Sequence, residues 1–439
     1  MFELLFLILF VLFPFLIFFL YKNLLKESFL KVGLLNFLLI NIFVFAYIGI
    51  VFLFFHMDSL RVDNGVVDRG IIFNVWLFSA TSTLFVVFGA FFSKRALLIK
   101  DVFFDPSKIK KNTVVQKYKA YIFILIGLVA LFLYIREVQD VAIFNIFSLD
   151  NKSDLGKLRS DMGSSFQGSY FLYSLFMKDV LQFLLFSFYG QWLVFKTKKE
   201  LYVVIFLFFV NSFTALMAVE KAPIVWLIVG MFLVNLLITK NGLYPFKSIF
   251  KMSVPVLCVL IFGYMFFMGD SSISNAFNSI LSRTFTGSIT PAYFYLDFFP
   301  KYYDYLYGAS FPNPLGIFPY TPVQLTVLVM DTFNPELARL GIVGTMPTVF
   351  WAEIYANFGA LLIMPVSFLV GFALKLFDGI VLRFREHPMW VGYYVWVILY
   401  FKNLSVTSFS NFVLNISLIL VTFIFIFIST KSFRLSYIR

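Results

Sequence analysis

Long apolar runs, separated by short polar segments, recur from one end of the chain to the other. A helix needs roughly 20 mostly apolar residues to cross the hydrocarbon core, and about eleven segments meet that measure. They lie near 3–21, 33–56, 70–92, 120–136, 171–195, 201–218, 224–239, 249–268, 348–375, 389–403 and 412–430, with 120–136 and 389–403 the shortest. No internal repeat and no low-complexity linker divides the series. The pattern predicts an all-α, polytopic transmembrane bundle forming one integral membrane domain over 1–439. The first segment, "MFELLFLILF", has neither a basic leader nor a small-residue cleavage site, so it is expected to be a span rather than a removed signal peptide.

Composition agrees. The chain is 61% hydrophobic and 13% charged over 439 residues, more apolar surface than a soluble domain of that length could hide. The formal charge of +12 would raise nucleic acid as a partner for a soluble protein. Here the basic residues cluster in short loops between apolar runs, the pattern that orients a membrane protein, so no nucleic acid partner is expected. Segment 93–119 is the richest in Lys and Arg and is expected to be cytoplasmic. Alternation then puts Lys22/Lys26/Lys31, Lys196/Lys198/Lys199, Lys240/Lys247/Lys251, Arg383/Arg385 and Lys431/Arg434/Arg439 on the same side. The N-terminus falls outside and the C-terminus inside. The two longest loops, 137–170 and 269–347, face outward, away from ATP and nucleotide sugars.

One cysteine, Cys258, excludes an intrachain disulfide, and two distant histidines, His56 and His387, argue against a zinc site. No metal and no cofactor is expected, and any catalysis should run on Arg, Lys, Asp, Glu and Tyr. Charge within or beside a span is costly and marks a site by default. Such residues gather toward the outer ends: Lys178, Asp179, Glu220, Lys221, Asp270, Glu353 and Lys402. The inner halves look cleaner, which predicts a polar cavity open to the outside.

In "GTMPTVFWAEIYANFGALLIMP", Pro347 marks a helix start, Glu353 falls about two turns in, and Asn357 shares its face four residues later. Glu353 is either functional or one half of an ion pair with a neighbouring span. Glu220 and Lys221 occupy the outward turn "AVEKAP", with Pro223 suited to the first turn of the next helix. The alternative there is a lysine snorkelling to water.

In the second loop, Ile273, Phe277, Ile280 and Leu281 repeat at helical spacing, which predicts an amphipathic helix over 272–285 lying on the membrane, with Arg283 its only basic residue. Tyr293, Tyr295, Tyr302, Tyr303, Tyr305 and Tyr307 follow, with Asp297 and Asp304 among them. Such tyrosines suit sugar rings or an interfacial aromatic belt. In the first loop Arg159 precedes Gly163 and Gly168, glycines that would let backbone amides approach an anion; the alternative is a solvated loop.

Taken together, the chain resembles the Wzy-type oligosaccharide repeat-unit polymerases of bacterial O-antigen, capsule and common-antigen synthesis. The resemblance runs nearly the whole length. It rests on the span count, the two large external loops, "KLRSDMGSS", "VEKAPI", "LSRTF" before an aromatic stretch ending "YLYGAS", and "MPTVFWAEIYANFG". One departure is the spacing from Arg to Gly: Arg159 meets Gly168 and Arg283 meets Gly287 at different separations.

The resemblance implies a metal-independent, lipid-dependent glycosyltransferase of GT-C-like architecture in the bacterial cytoplasmic membrane, active on its outer face. Its donor would be a growing glycan on undecaprenyl diphosphate and its acceptor the non-reducing end of a newly delivered lipid-linked unit. Undecaprenyl-diphosphate-linked oligosaccharides and the bilayer are the implied partners, with a chain-length-regulating co-polymerase by analogy. Fixed cations would stabilise the leaving diphosphate, and Arg159, Lys221 and Arg283 are the candidates. Glu353 is the first candidate for a base on the acceptor hydroxyl, with Glu220 and Asp297 behind it. Lys178, Asn357, Tyr293, Tyr303, Tyr307 and Arg339 complete the substrate-binding set. An O-antigen ligase shares topology and donor but is expected to carry a histidine in its large external loop, and 269–347 has none. A flippase is expected to show internal repeats.

Overall fold

The computed structural model describes residues 1–97, 105–138, 140–145, 158, 162, 170–268, 272–339, 343–413 and 415–430. Arg159, Lys157, Gly163, Gly168 and Asp270 lie outside the described residues. Among the described residues the chain is helical and no strand forms, and ten helices are long and apolar enough to cross a membrane. This is a multi-pass membrane protein.

The first eight of those helices are α1 (Phe2–Leu25), α2 (Leu34–Phe54), α3 (Arg69–Ala96), α4 (Val114–Glu137), α5 (Tyr170–Phe195), α6 (Lys198–Leu216), α7 (Ala222–Thr239) and α8 (Phe246–Phe266). Among the shorter helices that follow are α9 (Ile273–Leu281), α10 (Gly287–Phe298) and α11 (Phe350–Phe358). Then come α12 (Ala360–Phe384), the short α13 (Trp390–Phe401) and α14 (Phe409–Ser429).

Local chemistry sets many of the ends. Asp68 caps α3 by accepting from the Gly70 and Ile71 amides at 2.7 and 3.2 Å. Thr113 and Gln116 form a capping box at α4. Pro223 occupies the first turn of α7, as its position after Lys221 predicts.

Two expectations about spans change. The run 348–375 is not one helix: Gly359, at φ +74°, separates α11 from α12. Glu353 therefore sits in a short helix of its own rather than inside a span. The run 389–403 folds as α13, which has 12 residues. That is about 18 Å of helix against a hydrocarbon core of about 30 Å. Trp390, Tyr393, Val395, Trp396 and Val397 are each 2% exposed or less, so α13 is a protein-buried helix. Hydropathy reports apolar composition and is blind to whether the neighbours are lipid or protein. By contrast, α1 turns Phe15 and Phe19 outward at 68% and 62% exposure, as lipid-facing residues do.

The chain forms two compact units, each assembled from three stretches. The first comprises Met1–Val102, Ser271–Ile380 and Tyr400–Asn415, and the second Phe103–Asp270, Val381–Leu399 and Ile416–Arg439.

In the first unit Tyr47 joins three helices. Its hydroxyl donates to the Phe10 carbonyl at 2.7 Å and accepts from the Trp76 indole at 3.1 Å, while its ring stacks on Phe10. The second loop does not simply cover this unit. In α9 Ile273, Phe277 and Leu281 of the expected stripe are exposed, while Ile280 is buried. Beyond it α10 is buried, with Ile289, Ala292 and Tyr295 at 1% exposure or less.

At one end of this unit, the segment after α1 meets the C-terminal ends of α3 and α12. Glu27 pairs with Lys94 at 2.9 Å and Lys375 at 2.6 Å, and Lys375 reaches Asp378 at 3.7 Å. Lys375 and Asp378 are 5% and 6% exposed. The end expected to be the cleaner one thus holds a buried ion-pair network. Burial disfavours the Glu27 charge, but the two lysines outweigh it and hold the carboxyl below its ordinary range.

In the second unit three of the basic segments, around Lys117, Lys196 and Arg385, meet at one end. Lys117 pairs with Glu200, joining the starts of α4 and α6. Gln116 donates to the Ser429 carbonyl and Gln191 to the Pro388 carbonyl, each at 2.8 Å, and the Lys110 amide to Glu386 at 3.0 Å. These contacts bring Lys196, Arg383 and Arg385 to the same end as segment 110–119.

Candidate functional site

The other end of the first unit holds the start of α3 and the segment before it. A one-turn helix, Ser59–Asp63, follows Asp58. Between α9 and α10 the helical path widens into a π turn at Ser282–Thr286, which carries Arg283. Such turns distort the hydrogen-bond ladder and are frequent at functional sites.

Close approach makes this arrangement. A Cβ on Gly49 of α2 would lie 2.0 Å from the Phe285 carbonyl oxygen, so only glycine lets the π turn seat against α2. A Cβ on Gly287 would fall 2.8 Å from an Arg61 guanidinium nitrogen, so this glycine leaves room for Arg61 to reach across.

Asp58 is the hub. Its carboxylate accepts from the Ser282 hydroxyl at 2.7 Å and the Thr286 hydroxyl, and lies 4.0 Å from Arg61 Nε. Burial opposes its charge, but these hydrogen bonds and Arg61 hold the carboxyl below its usual range. Arg61 is itself pulled down, first by burial and then by the charge of Arg283, with Asp58 working against both. Arg61 thus feels the charge of Arg283, while Asp58 pairs with Arg61 and holds the π turn through Ser282 and Thr286. Guanidinium forks are the side chains best suited to an anion's oxygens.

Arg283 was anticipated from the sequence; Asp58 and Arg61 were not. Their signal is the segment "HMDSLRVDNG" between the second and third apolar runs. It reads as a solvated turn until the fold brings the π turn onto it.

Glu353 belongs to a different level of the same unit. Helices α10 and α11 run side by side and parallel. Thr348 donates to the Ser288 carbonyl at 3.0 Å, Glu353 faces Tyr295 electrostatically, and Tyr355 donates to the Phe299 carbonyl at 3.1 Å. Glu353 is thus level with Tyr295, toward the C-terminal end of α10, whereas Arg283 precedes that helix in the π turn.

Glu353 is 2% exposed and accepts from the Ser310 hydroxyl at 2.6 Å and the Ser410 amide at 2.7 Å. Asn357, with no exposed surface, receives the Gly308 amide at 3.0 Å and donates to Ser310 at 2.8 Å. These hydrogen-bonding groups clasp the 306–311 loop and the start of α14 to α11. The sequence offered a lysine or arginine as the bland partner of Glu353, but hydroxyl and amide donors take that place. Burial pushes its carboxyl up, and the hydrogen bonds offset this only in part. Asn357 is not available to a substrate.

The tyrosines divide. Tyr293 is 4% exposed and bonds the segment before α3, receiving the Asp68 amide at 3.2 Å, so it is a tie within the fold rather than a sugar platform. Tyr303 and Tyr307 are 43% and 75% exposed, and Tyr303 stacks on Phe298. Asp297 pairs with Lys301 at 3.6 Å. Arg339 is exposed at the end of the short helix Pro335–Arg339.

The remaining candidates belong to the second unit. The Lys221 ammonium lies 3.5 Å from the centre of the Tyr264 ring, with its stem against Gly263 of α8. Glu220 is exposed. Lys178 donates to the Tyr170 hydroxyl at 3.1 Å. Among the described residues no three His, Cys, Asp or Glu side chains gather as metal ligands. The chain significantly matches no protein-family profile, no characterised protein and no solved structure.

Proposed function

We propose that this protein transfers a lipid-linked glycan, joining oligosaccharide repeat units carried on undecaprenyl diphosphate at the outer face of a bacterial cytoplasmic membrane. The observation that carries the reading is the Arg61–Arg283 pair mounted on Asp58. The resemblance to the Wzy-type polymerases supports it through residues and topology alone.

In the proposed reaction an acceptor hydroxyl attacks the anomeric carbon of the donor as the bond to the diphosphate oxygen breaks. Negative charge grows on the departing diphosphate, and its oxygens can receive the acceptor's proton. Guanidiniums already fixed in place stabilise that charge without reorganising, which is the largest lever available to a site of this kind. Asp58 is a positioning residue: it orients Arg61 and holds the π turn that carries Arg283. Exposed Tyr303 and Tyr307 offer faces on which sugars can stack. Glu353 and Asn357 hold the loop that presents them.

Deleting the gene in its host and resolving the surface polysaccharide on a gel tests the reading. Collapse of a ladder to single repeat units supports a polymerase. Accumulated lipid-linked polymer with no surface glycan would identify a ligase, and single lipid-linked units trapped on the cytoplasmic face a flippase. Under either of those outcomes Arg61 and Arg283 lose their role as stabilisers of the leaving diphosphate in polymerisation.

A further inference from the structure

The basic end of the second unit contains a cavity of about 580 Å³ that the proposed reaction does not use. Pockets for small ligands run at about 300–1,000 Å³. Two distant stretches of chain supply its cations, Lys110 and Lys111 from the segment before α4, and Arg383 and Arg385 from the turn between α12 and α13. The one carboxylate in the lining is Glu386, which pairs with Lys110 at 3.3 Å. Four cations against one anion leave a positive cavity. Phe384, Phe425 and Ile426 give it an apolar wall, with Gln116, His387, Ser429 and Thr430 as the neutral polar part of the lining.

The position matters as much as the charge. The cavity opens where α12 and α14 end, at Phe384 and Ser429, which is where the headgroups of one leaflet lie around a spanning helix. A cationic rim over an apolar wall at that depth matches a phosphate with hydrocarbon attached. Basic pockets between spans are known to take acidic lipid headgroups.

We propose that this cavity is a binding site for a phosphate anion, delivered either as the headgroup of an acidic phospholipid or as free phosphate. The two sources share the chemistry that the four cations recognise. The site uses none of the residues around Arg61 and Arg283 and does not depend on the glycan reading.

The test uses the full chain, purified in a neutral detergent. Thermal unfolding and native mass spectrometry are recorded with phosphatidylglycerol, with phosphatidylcholine and with inorganic phosphate. Two double variants, Arg383→Gln/Arg385→Gln and Lys110→Gln/Lys111→Gln, attack the rim from separate stretches of chain. Phosphatidylglycerol should raise the unfolding temperature and stay bound where phosphatidylcholine does not. Each double variant should weaken that binding by about tenfold or more, because each cation near an anionic surface counts for a factor of several. If inorganic phosphate gives the same rise, the site stands and its ligand is the free anion. Equal effects of the two lipids with no response to phosphate, or full phosphatidylglycerol binding by both folded double variants, would overturn the proposal.

Discussion

The first unit carries a charge cluster at each end of α3, and the two are built on opposite principles. At the C-terminal end, among the described residues, Glu27 pairs with Lys94 and Lys375, and Lys375 with Asp378, so that carboxylates and ammoniums alternate. At the N-terminal end Asp58 pairs with Arg61 and accepts from the hydroxyls of the π turn that carries Arg283, whose charge acts against that of Arg61. A balanced buried network holds a fold together, because its charges complete one another and removing one leaves an uncompensated ion. An unbalanced cluster spends stability on mutual repulsion, and a fold that keeps it gains a place for an anion. Charge near a span is therefore an incomplete signal of function; the local balance decides which kind it is.

The largest effect should come from unbalancing the balanced end. Lys375→Met leaves Glu27 and Asp378 short of a cation and should cost about 3–5 kcal/mol. Thermal unfolding in detergent measures this, and adding Glu27→Gln should recover part of the loss. If Lys375→Met unfolds like the wild type, the network is not structural. At the unbalanced end, Arg61→Ala and Arg283→Ala should each lower glycan transfer by about 100- to 1,000-fold while the protein accumulates normally. The corresponding Lys variants should recover only part of the activity, since an ammonium lacks the bidentate fork. Wild-type ladders from both Ala variants would erase the distinction between the two ends.

Glu353 sharpens the comparison, because it is buried and charged yet belongs to neither cluster. Glu353→Ala strips acceptors from Ser310 and the Ser410 amide and should destabilise by about 1–3 kcal/mol. Glu353→Gln should lose less and keep its activity. A Gln variant that is stable but inactive would restore Glu353 as a base. Lys221→Met should cost about 1–2 kcal/mol through the lost contact with Tyr264 and leave transfer within a few-fold of normal. Abolished transfer with intact folding would return Lys221 to the diphosphate.

The smallest effect is on pH. Glu27 and Asp58 both titrate below the ordinary carboxylate range in the folded chain. The stability they contribute is complete above that range and is lost only as pH falls through their depressed folded values. Unfolding temperature should hold through mildly acid pH and decline below it, and Glu27→Gln should flatten that decline. A decline unchanged in Glu27→Gln would move its cause to other carboxylates.

Much of the architecture was legible before any coordinates, since a run of about 20 apolar residues has few ways to avoid a membrane. The misread spans, 348–375 and 389–403, share one cause. Hydropathy averages over composition, so it passes over the backbone break at Gly359 and cannot see that α13 is walled by protein. The candidate site was half legible. Arg283 was visible as the single cation on an amphipathic stretch, while Asp58 and Arg61 read as an ordinary polar turn. Asn357 and Tyr293 were chosen for their chemistry, and their burial removed them from any surface.

The sequence by itself determined that this chain crosses a membrane many times, because that follows from local composition. It also determined which residue types are present to do chemistry. Only the tertiary structure decided which charges meet. The groups around Glu27 lie far apart in the chain, as do those around Asp58, and pairing them depends on helix packing that no local pattern encodes. That packing set Glu353 level with Tyr295, brought Arg61 against Gly287 beside the π turn that carries Arg283, and so built two different charge clusters at the two ends of α3.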